Sequence, residues 1–457
     1  MRSYIVRFKE TRQPEAPAVA IPKPTARQIR TRTGCAQCKR RRVKCDEQQP
    51  ACQRCRARGE KCSGPVVVPI WQTVVLAQDS SDSGLVQYWT TAVCGSMPLE
   101  LHKPELLPDV VLPLLDRSPA LLHCIRGVAI AHRGFFSTEA LPASLRETSH
   151  ALAALRTELA IHGDPHRTLL AALGLSILSV WLDPSSQDSS SLLHLRGASS
   201  VLHLLLLGVR EASTQCLALT DFMVGLYVYM DMIHSYAVPA AHPLPLSGKL
   251  ASRLASSAGY VHPITGIATS LCLVVARVGR YLRSVVDLRR RDPGLERTLH
   301  RSLRDWQPGN PVHHQHARIA DAYRVLGQIM LHQARRHVTV VDDDDDEDDE
   351  PPPLSTLVAQ ALQIIAADDV TASSTDASSG VYTRGIMLLA VGPEVSPGAR
   401  RVVITDAFVR LHRLTRVNHF LLAARFVRDT CWPLRDRGVE FTWLDLLVRA
   451  GLTCVLI

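Results

Sequence analysis

The stretch TGCAQCKRRRVKCDEQQPACQRCRARGEKC, residues 33–62, contains half of the twelve cysteines in the chain. Their spacing is C-x2-C-x6-C-x6-C-x2-C-x6-C, so the second three cysteines repeat the first three. A close cysteine pair to which further cysteines return is the spacing of a metal site. The segment therefore predicts two similar halves that bind metal together. The candidate ligands are Cys35, Cys38, Cys45, Cys52, Cys55 and Cys62.

The number of sulfur atoms limits the number of metal ions. One tetrahedral zinc ion uses four thiolates, whereas two separate tetrahedral ions need eight ligand positions. Six sulfurs fill eight positions only if two of them bridge both ions. The duplication makes one bridging cysteine in each half a natural solution, and we therefore expect two Zn²⁺ per chain.

Positive charge is concentrated in the same part of the chain. Residues 1–64 contain 17 Lys and Arg against 5 Asp and Glu, a net charge of +12, although the whole chain carries only +9. This asymmetry is typical of an arm that meets nucleic acid or an acidic membrane surface. Five basic residues between the second and third cysteines also offset the negative formal charge of six thiolates with two zinc ions. They are Lys39, Arg40, Arg41, Arg42 and Lys44.

The remaining six cysteines are scattered singly, mostly among apolar residues. Because free cysteine is among the most buried residue types, we expect these six to be core thiols in a reducing compartment. The first residues, MRSYIVRFKETRQ, lack an apolar segment and a cleavage site, so we expect no signal peptide. A disulfide framework is therefore disfavoured for the cysteine segment. The scattered residues are Cys94, Cys124, Cys216, Cys272, Cys431 and Cys454.

On these residues, the segment over about residues 32–64 resembles the fungal zinc binuclear cluster family of transcription factors, in which six cysteines bind two zinc ions. The resemblance implies that the first and fourth cysteines, Cys35 and Cys52, bridge the two ions. It also implies that Pro50, two residues before the fourth cysteine, shapes the loop between the halves.

The resemblance further implies that the first short helix enters the major groove of double-stranded DNA with basic residues that precede the third cysteine. We expect Arg42 to contact a base, because arginine can donate two hydrogen bonds to guanine O6 and N7. The neighbouring basic residues are expected to contact mostly phosphates; they are Lys39, Arg40, Arg41 and Lys44. The family typically reads CGG triplets, so a similar half-site is implied. The run KRRRVK also resembles a nuclear import signal, which is consistent with an expected location in the nucleus.

The rest of the chain has a helical pattern. Ser118 followed by Pro119 predicts a helix start, and the apolar run at residues 168–182 predicts a central buried helix. One further helix is expected to bury a leucine stripe formed by Leu145, Leu152, Leu155 and Leu159. No apolar run is expected to span a membrane, and we expect no membrane partner.

We therefore expect a mostly α protein, in which a small zinc binuclear cluster module is followed by a large all-α regulatory domain of a dozen or so helices. The expected boundaries are a disordered N-terminal arm at residues 1–30, the zinc module at 31–64, a linker at 65–84 and the helical domain at 85–457. The acidic and proline-rich run at 341–353 is expected to be a disordered, solvated insert, because adjacent carboxylates repel and proline cannot continue a helix.

The helical region also resembles the fungal-specific transcription factor domain of the second type. The stretches that carry the resemblance are VLPLLDRSPALLHCIRGVAIAH, HLRGASSVL and WLDLLVRAGL. The resemblance implies a regulatory role that includes oligomerisation and contact with transcriptional co-regulators. A homodimer is one oligomer that this role would allow. In some members the role also includes sensing of a small ligand, whose identity here is unknown.

Three functions follow as hypotheses. The first is a zinc-dependent, sequence-specific regulator of RNA polymerase II genes that reads CGG-like half-sites in the major groove. The alternative is a metal- or ligand-responsive interaction protein that acts mainly through its helical domain. A chromatin-tethered enzyme is the least favoured, because no catalytic motif such as G-x-S-x-G, H-E-x-x-H or a P-loop occurs in the sequence, and we expect no enzyme activity.

Overall fold

The chain divides into two compact units, residues 1–77 and residues 78–457. The computed structural model describes the following residues: 35–41, 43, 45, 46, 48, 51–60, 62, 82–94, 106–134, 137–161, 163–182, 190–208, 214–242, 244, 248–257, 260–308, 314–338, 351–371 and 381–452.

Nineteen α-helices lie within these residues, two of them in the first unit. They are α1 (Ala36–Arg40), α2 (Gln53–Arg56), α3 (Asp82–Tyr88), α4 (Leu106–Leu115), α5 (Pro119–Arg133), α6 (Leu141–Ala160), α7 (Pro165–Leu182), α8 (Ser190–Gly208), α9 (Thr214–His234), α10 (Gly248–Ser256), α11 (Thr269–Leu288), α12 (Pro293–Arg304), α13 (His314–His337), α14 (Leu354–Thr371), α15 (Val381–Val391), α16 (Ala399–Thr415), α17 (His419–Phe426), α18 (Trp432–Asp436) and α19 (Trp443–Ala450).

The expected fold class is confirmed, since the residues described contain helices and no β-strand. The expected number of about a dozen helices in the large unit is too low, because seventeen α-helices, α3 to α19, lie among the described residues of that unit. Several of the additional helices are short, and α18 has only five residues. A helix of one or two turns is too short to show a 3.6-residue apolar period in the sequence.

The predicted start of α5 is confirmed. Ser118 is the N-cap, and its hydroxyl oxygen accepts a hydrogen bond from the backbone N–H of Leu121 at 3.2 Å. Pro119 occupies the first helical position, where its missing N–H leaves no donor unpaired. The carboxylate of Glu158, on α6, also accepts hydrogen bonds from the Ser118 hydroxyl and from the backbone N–H of Ala120. The end of α6 therefore helps to cap the start of α5.

The predicted buried face of α6 is wrong for Leu145 and Leu159, whereas Leu152 is partly buried against the core. Leu145 is 47% exposed and Leu159 is 53% exposed, although Leu155 is buried as expected. The buried side of α6 instead consists of Ser144, Glu147, Ala151 and Leu155. Small residues on this side let α6 pack closely on α5, and the buried polar groups have partners. The Ser144 hydroxyl, for example, donates a hydrogen bond to the carbonyl oxygen of Gly127 at 2.8 Å.

Helix α7 is buried around most of its circumference, as its apolar sequence predicts. It packs against α5, α6, α8 and α9. A second central helix, α11, packs against α9, α12 and α13. Beside it, the buried carboxylate of Glu296 accepts hydrogen bonds from Tyr281, Arg291 and Arg335. The buried carboxylate of Glu296 is therefore paired rather than left unsatisfied.

The expectation that no segment could span a membrane is wrong in terms of length and composition. Three helical segments are long and apolar enough, namely Pro165–Leu182, Ser190–Gly208 and Cys216–Ala237. In the first and third, 67% of the residues are buried inside the helical unit, and in the second 33% are buried. Hydropathy alone does not separate a central helix of a large bundle from a spanning helix, because both are apolar on all sides.

Some expected boundaries can be compared with the structure. The linker was expected to reach residue 84, but α3 begins at Asp82. The expected N-terminal arm and most of the acidic insert lie outside the described residues. In the acidic insert, only residues 351–353 are described, and the carbonyl oxygen of Pro352 is 2.7 Å from Nε2 of His332.

The expectation of buried core thiols is confirmed for Cys94, Cys124, Cys272 and Cys431, which are buried and free. Burial raises the pKa of each of these four thiols above its ordinary value. Cys216 is only partly buried, and Cys454 lies outside the described residues.

Candidate metal centre

The two halves of the cysteine segment have the same local backbone geometry. In the first half, the N–H of Cys38 donates a hydrogen bond to Sγ of Cys35 at 3.4 Å. In the second half, the N–H of Cys55 donates to Sγ of Cys52, also at 3.4 Å. A short helix, α1 or α2, begins directly after the first cysteine of each half. The duplication in the sequence is therefore a duplication in structure.

The sulfur atoms are separated by distances that fit metal coordination and not disulfides. Sγ of Cys35 lies 3.8 Å from Sγ of Cys52 and 3.7 Å from Sγ of Cys55. Sγ of Cys38 lies 3.8 Å from Sγ of Cys52. A disulfide bond would need about 2.05 Å. Tetrahedral Zn–S bonds of about 2.3 Å place neighbouring sulfurs about 3.8 Å apart, which matches these separations.

The six thiols form two groups of four that share two members. Within each group, all the Sγ atoms lie within 4.8 Å of one another. One group is Cys35, Cys38, Cys45 and Cys52, and the other is Cys35, Cys52, Cys55 and Cys62. The shared pair supplies the two additional ligand positions that two tetrahedral ions require of six sulfurs. The residues present therefore fit a two-zinc cluster.

Four of the six thiols are fully shielded from water. Cys35, Cys38, Cys52 and Cys55 are 0% exposed. This burial raises the pKa of Cys38 and Cys52 to about 12, and that of Cys55 to about 11. Buried thiols of this kind keep their protons at neutral pH unless a cation stabilises the thiolate form. Bound Zn²⁺ ions, when present, supply that positive charge.

The loop between the halves is tied to the second helix. A carboxylate oxygen of Asp46 accepts a hydrogen bond from the backbone N–H of Gln53 at 2.8 Å, at the first position of α2. Cys52, the N-cap of α2, accepts from a second N–H of the same turn. After α2 the chain turns back at Gly59, whose φ of +63° favours glycine.

Arg41, one of the predicted DNA contacts, lies against the sulfur cluster. Its guanidinium donates hydrogen bonds to Sγ of Cys55 at 3.5 Å and to the backbone carbonyl oxygen of Gln37 at 3.3 Å. It also forms an ion pair with Glu60 at 2.5 Å. The guanidinium therefore connects the two halves of the module. A contact between Arg41 and DNA stays a prediction, and it would compete with these internal partners.

The other predicted DNA contacts are described only in part. Arg40 lies at the end of α1 and is exposed. Lys39 lies within α1, but its side chain is not among those described, and Arg42 and Lys44 lie outside the described residues. Their roles stay predictions.

Three exposed arginines of the second half were missed by the sequence analysis. They are Arg54, Arg56 and Arg58, on and directly after α2. The signal was available in the duplication, because a shift of 17 residues aligns Arg56 with Lys39 and Arg58 with Arg41. The second half therefore presents basic side chains of its own.

This geometry defines a class of protein: a small module built on two four-thiol groups that share two members and bearing basic side chains, in a chain whose other unit is a large helical bundle. Comparison with known families then identifies the class. The family model for the fungal Zn(2)-Cys(6) binuclear cluster domain matches residues 33–66. The family model for the fungal specific transcription factor domain matches residues 84–457.

The chain therefore belongs to the fungal specific transcription factor domain family and carries a Zn(2)-Cys(6) binuclear cluster domain, which binds two zinc ions. The two matches indicate a transcription factor rather than an enzyme.

Several curated proteins are similar to the chain over short stretches. The aspercryptin biosynthesis cluster-specific transcription regulator atnN of Emericella nidulans is 54% identical over 41 residues, which are 9% of this chain and 7% of that protein. The transcriptional regulatory protein moc3 of Schizosaccharomyces pombe is 54% identical over 43 residues, 9% of this chain and 8% of that protein. White-opaque regulator 2 of Candida albicans is 39% identical over 59 residues, 13% of each. The similarity thus covers a small part of either partner, and no solved structure matches the chain.

Proposed function

We propose that this protein is a nuclear, sequence-specific regulator of genes transcribed by RNA polymerase II, with its DNA-binding module built on two Zn²⁺ ions. One observation carries the proposal: the two four-thiol groups share Cys35 and Cys52, and the sulfur separations fit zinc coordination. In this proposal Cys38 and Cys45 complete the site of one ion. Cys55 and Cys62 complete the site of the other.

The proposed contact with DNA is made by basic residues of the first half. Arg42 would read guanine in a CGG-like half-site through the major groove, because its guanidinium can donate two parallel hydrogen bonds to one base edge. Lys39, Arg40 and Lys44 would bind phosphates and fix the orientation of the module. The internal contacts of Arg41 with Cys55 and Glu60 support a different role for this residue, as a support for the cluster.

The helical unit would set the oligomeric state and contact transcriptional co-regulators. Its match to the fungal specific transcription factor domain family supports a regulatory role for this unit, separate from the DNA contact made by the zinc module. A homodimer would place two zinc modules on one DNA site, and the spacing of the half-sites would then report the geometry of the dimer.

The most informative experiment selects bound sequences from a random duplex pool with the full-length protein. We expect an enriched CGG-like motif and an affinity that falls with salt, with a slope of log K against log salt near about −4 if four or five phosphates are neutralised. Arg42→Ala should cost about 1–3 kcal/mol and relax the preference at one base pair.

Arg146→Ala is the matched control, because Arg146 is an exposed arginine on α6 of the helical unit. This variant should keep both the motif and the affinity. Zinc-loaded protein that shows no preference among duplexes would contradict the proposal. If Arg41→Ala with Arg42→Ala left the transcriptional effect intact, the alternative of an interaction protein that acts through its helices would replace it.

A further inference from the structure

A second group of potential metal ligands lies within the helical unit, where α5 packs against α6. His123 on α5 and Glu147 and His150 on α6 each contribute one ligand atom, and these atoms lie within 4.8 Å of one another. Glu147 and His150 are three residues apart, so they lie on the same side of α6. Glu-x-x-His is a spacing by which helices present two ligands to one metal ion.

The distances suit a small divalent cation. Nδ1 of His123 is 2.8 Å from Oε2 of Glu147, and the ring centroids of His123 and His150 are 5.1 Å apart. Zn–N and Zn–O bonds of about 2.0–2.1 Å at tetrahedral angles place ligand atoms about 3.4 Å apart. The required separation is longer than the 2.8 Å between His123 and Glu147 and shorter than the 4.8 Å within which all three ligand atoms lie, so small side-chain movements would complete the site.

The backbone around the group is fixed. The Ser144 hydroxyl donates to the carbonyl oxygen of Gly127, which is one turn after His123, and this hydrogen bond sets the register of the two helices. A Cβ atom at Gly127 would lie 3.4 Å from Cβ of Glu147 and 2.8 Å from Cδ2 of Leu178, so glycine is what allows this close approach. Ligands held on two packed helices need little reorganisation to bind an ion.

The carboxylate of Glu147 is also oriented by a neighbour. Nη2 of Arg126 lies 3.1 Å from Oε1, the oxygen that does not contact His123. An outer partner of this kind fixes the orientation of a ligand and leaves its other oxygen toward the two histidines. The Glu147 side chain is 10% exposed and that of His123 is 24% exposed, whereas His150 is exposed. One side of the group therefore opens to water.

We propose that His123, Glu147 and His150 form a Zn²⁺ site with three protein ligands and one open position, distinct from the six-cysteine cluster. Three protein ligands with a water in the fourth position form a common zinc geometry, and the open side lets the ion exchange with solvent. Binding would link α5 to α6. This site goes beyond the proposed function, because it would make the helical unit bind a metal ion of its own.

The test uses the full-length protein with its cysteine cluster already loaded with two Zn²⁺ per chain. Titration calorimetry with Zn²⁺ and elemental analysis after gel filtration should show a third ion. His150→Ala should lower the affinity for this ion at least about 100-fold, since loss of a ligand costs more than loss of an outer partner. His150 is exposed, so this variant should fold; Glu147→Gln should lose the third ion as well.

The matched control is His242→Ala, which removes an exposed histidine elsewhere in the helical unit and should keep the third ion. Co²⁺ added in place of the third Zn²⁺ should give visible d–d bands without sulfur-to-metal charge transfer, which separates this site from the thiolate cluster. Saturation at two ions would overturn the proposal. Equal affinity of the wild-type chain and His150→Ala, or equal loss in His242→Ala, would also overturn it.

Discussion

The two units of the chain have cores of different composition. The described residues of the zinc module have a core of cysteines, whereas the helical unit packs leucine, valine, alanine and aromatic side chains around α7 and α11. So small a module cannot bury enough apolar surface to fold by itself, and its stability has to come from metal coordination. The comparison shows that one chain uses two separate sources of stability. Treatments that remove one source should leave the other unit intact.

The largest effect is expected from Cys52→Ala. Cys52 belongs to both four-thiol groups, so its loss should release both zinc ions and abolish binding to DNA. Structural zinc contributes about 10–16 kcal/mol in small zinc modules, which is more than any core contact. Zinc per chain by elemental analysis and duplex binding by fluorescence anisotropy would measure the loss, and thermal melting of the helical circular dichroism signal should not change.

Cys272→Ala is the matched control for this variant. Cys272 is 0% exposed in the helical unit, so its removal should lower the melting temperature and leave two zinc ions bound. A Cys52→Ala chain that still binds two ions would contradict the shared-ligand assignment.

Mild acid should weaken the helical unit through four buried histidines. Burial lowers the pKa of His132, His234, His262 and His419 to about 4. Their ordinary pKa is about 6.5, so between pH 6.5 and 4 the unfolded chain binds protons that the folded chain does not, and stability falls as the pH is lowered. One pKa unit corresponds to about 1.4 kcal/mol, so the four shifts together correspond to on the order of 10 kcal/mol by pH 4.

Denaturant midpoints measured at several pH values would test this acid sensitivity. His262→Gln should flatten the curve between pH 6.5 and 4, whereas exposed His242→Gln should not. A midpoint that is constant from pH 7 to pH 5 would exclude neutral, buried histidines as the source.

A single large core substitution should cost less than the loss of the metal cluster. Trp443 is 0% exposed, and its Nε1–H donates a hydrogen bond to Oε1 of Gln333 at 3.0 Å. Trp443→Ala should lower the free energy of unfolding by about 3–5 kcal/mol, because it leaves a cavity and an unpaired amide oxygen. Urea unfolding would measure the loss, and zinc content should stay at two. Trp443→Phe should cost less, since the ring volume is largely kept.

The smallest effect is expected at the start of α5. Ser118→Ala removes the N-cap hydroxyl that accepts from Leu121 and donates to Glu158, at an expected cost of about 1 kcal/mol. Ser149→Ala changes an exposed serine on α6 and should stay within about 0.5 kcal/mol of the wild type. Equal urea midpoints for the two variants would show that the Ser118 cap does not contribute to the stability of the helical unit.

The zinc module could be predicted from the sequence in most of its parts. The duplicated spacing predicts the six candidate ligands and the number of ions. The structure repeats this duplication, since in each half the backbone N–H of the second cysteine donates a hydrogen bond to Sγ of the first. The position of Arg41 could not be predicted in this way. Its contacts with Cys55 and Glu60 depend on how the second half folds back, and a basic run does not show which of its members point inward.

In the helical unit, the Ser118–Pro119 pair predicted the start of α5, and the apolar run at 168–182 predicted the burial of α7. The buried face of α6 could not be predicted from the positions of its leucines. Ser144 and Glu147 are buried because Gly127 allows close packing and because both side chains find partners on α5. The interpretation based on Leu145 and Leu159 was wrong, since hydrophobicity ranks single residues and does not include the shape of the neighbouring helix.

The sequence by itself determined the cysteine chemistry, the separation of positive charge from the helical region and the helical class. These features depend on residue type and on short spacing along the chain. Only the tertiary structure decided which arginine contacts the cluster and that His123 meets Glu147 and His150. These contacts join residues 14 or more positions apart, and packing between elements, rather than spacing along the chain, brings such residues together.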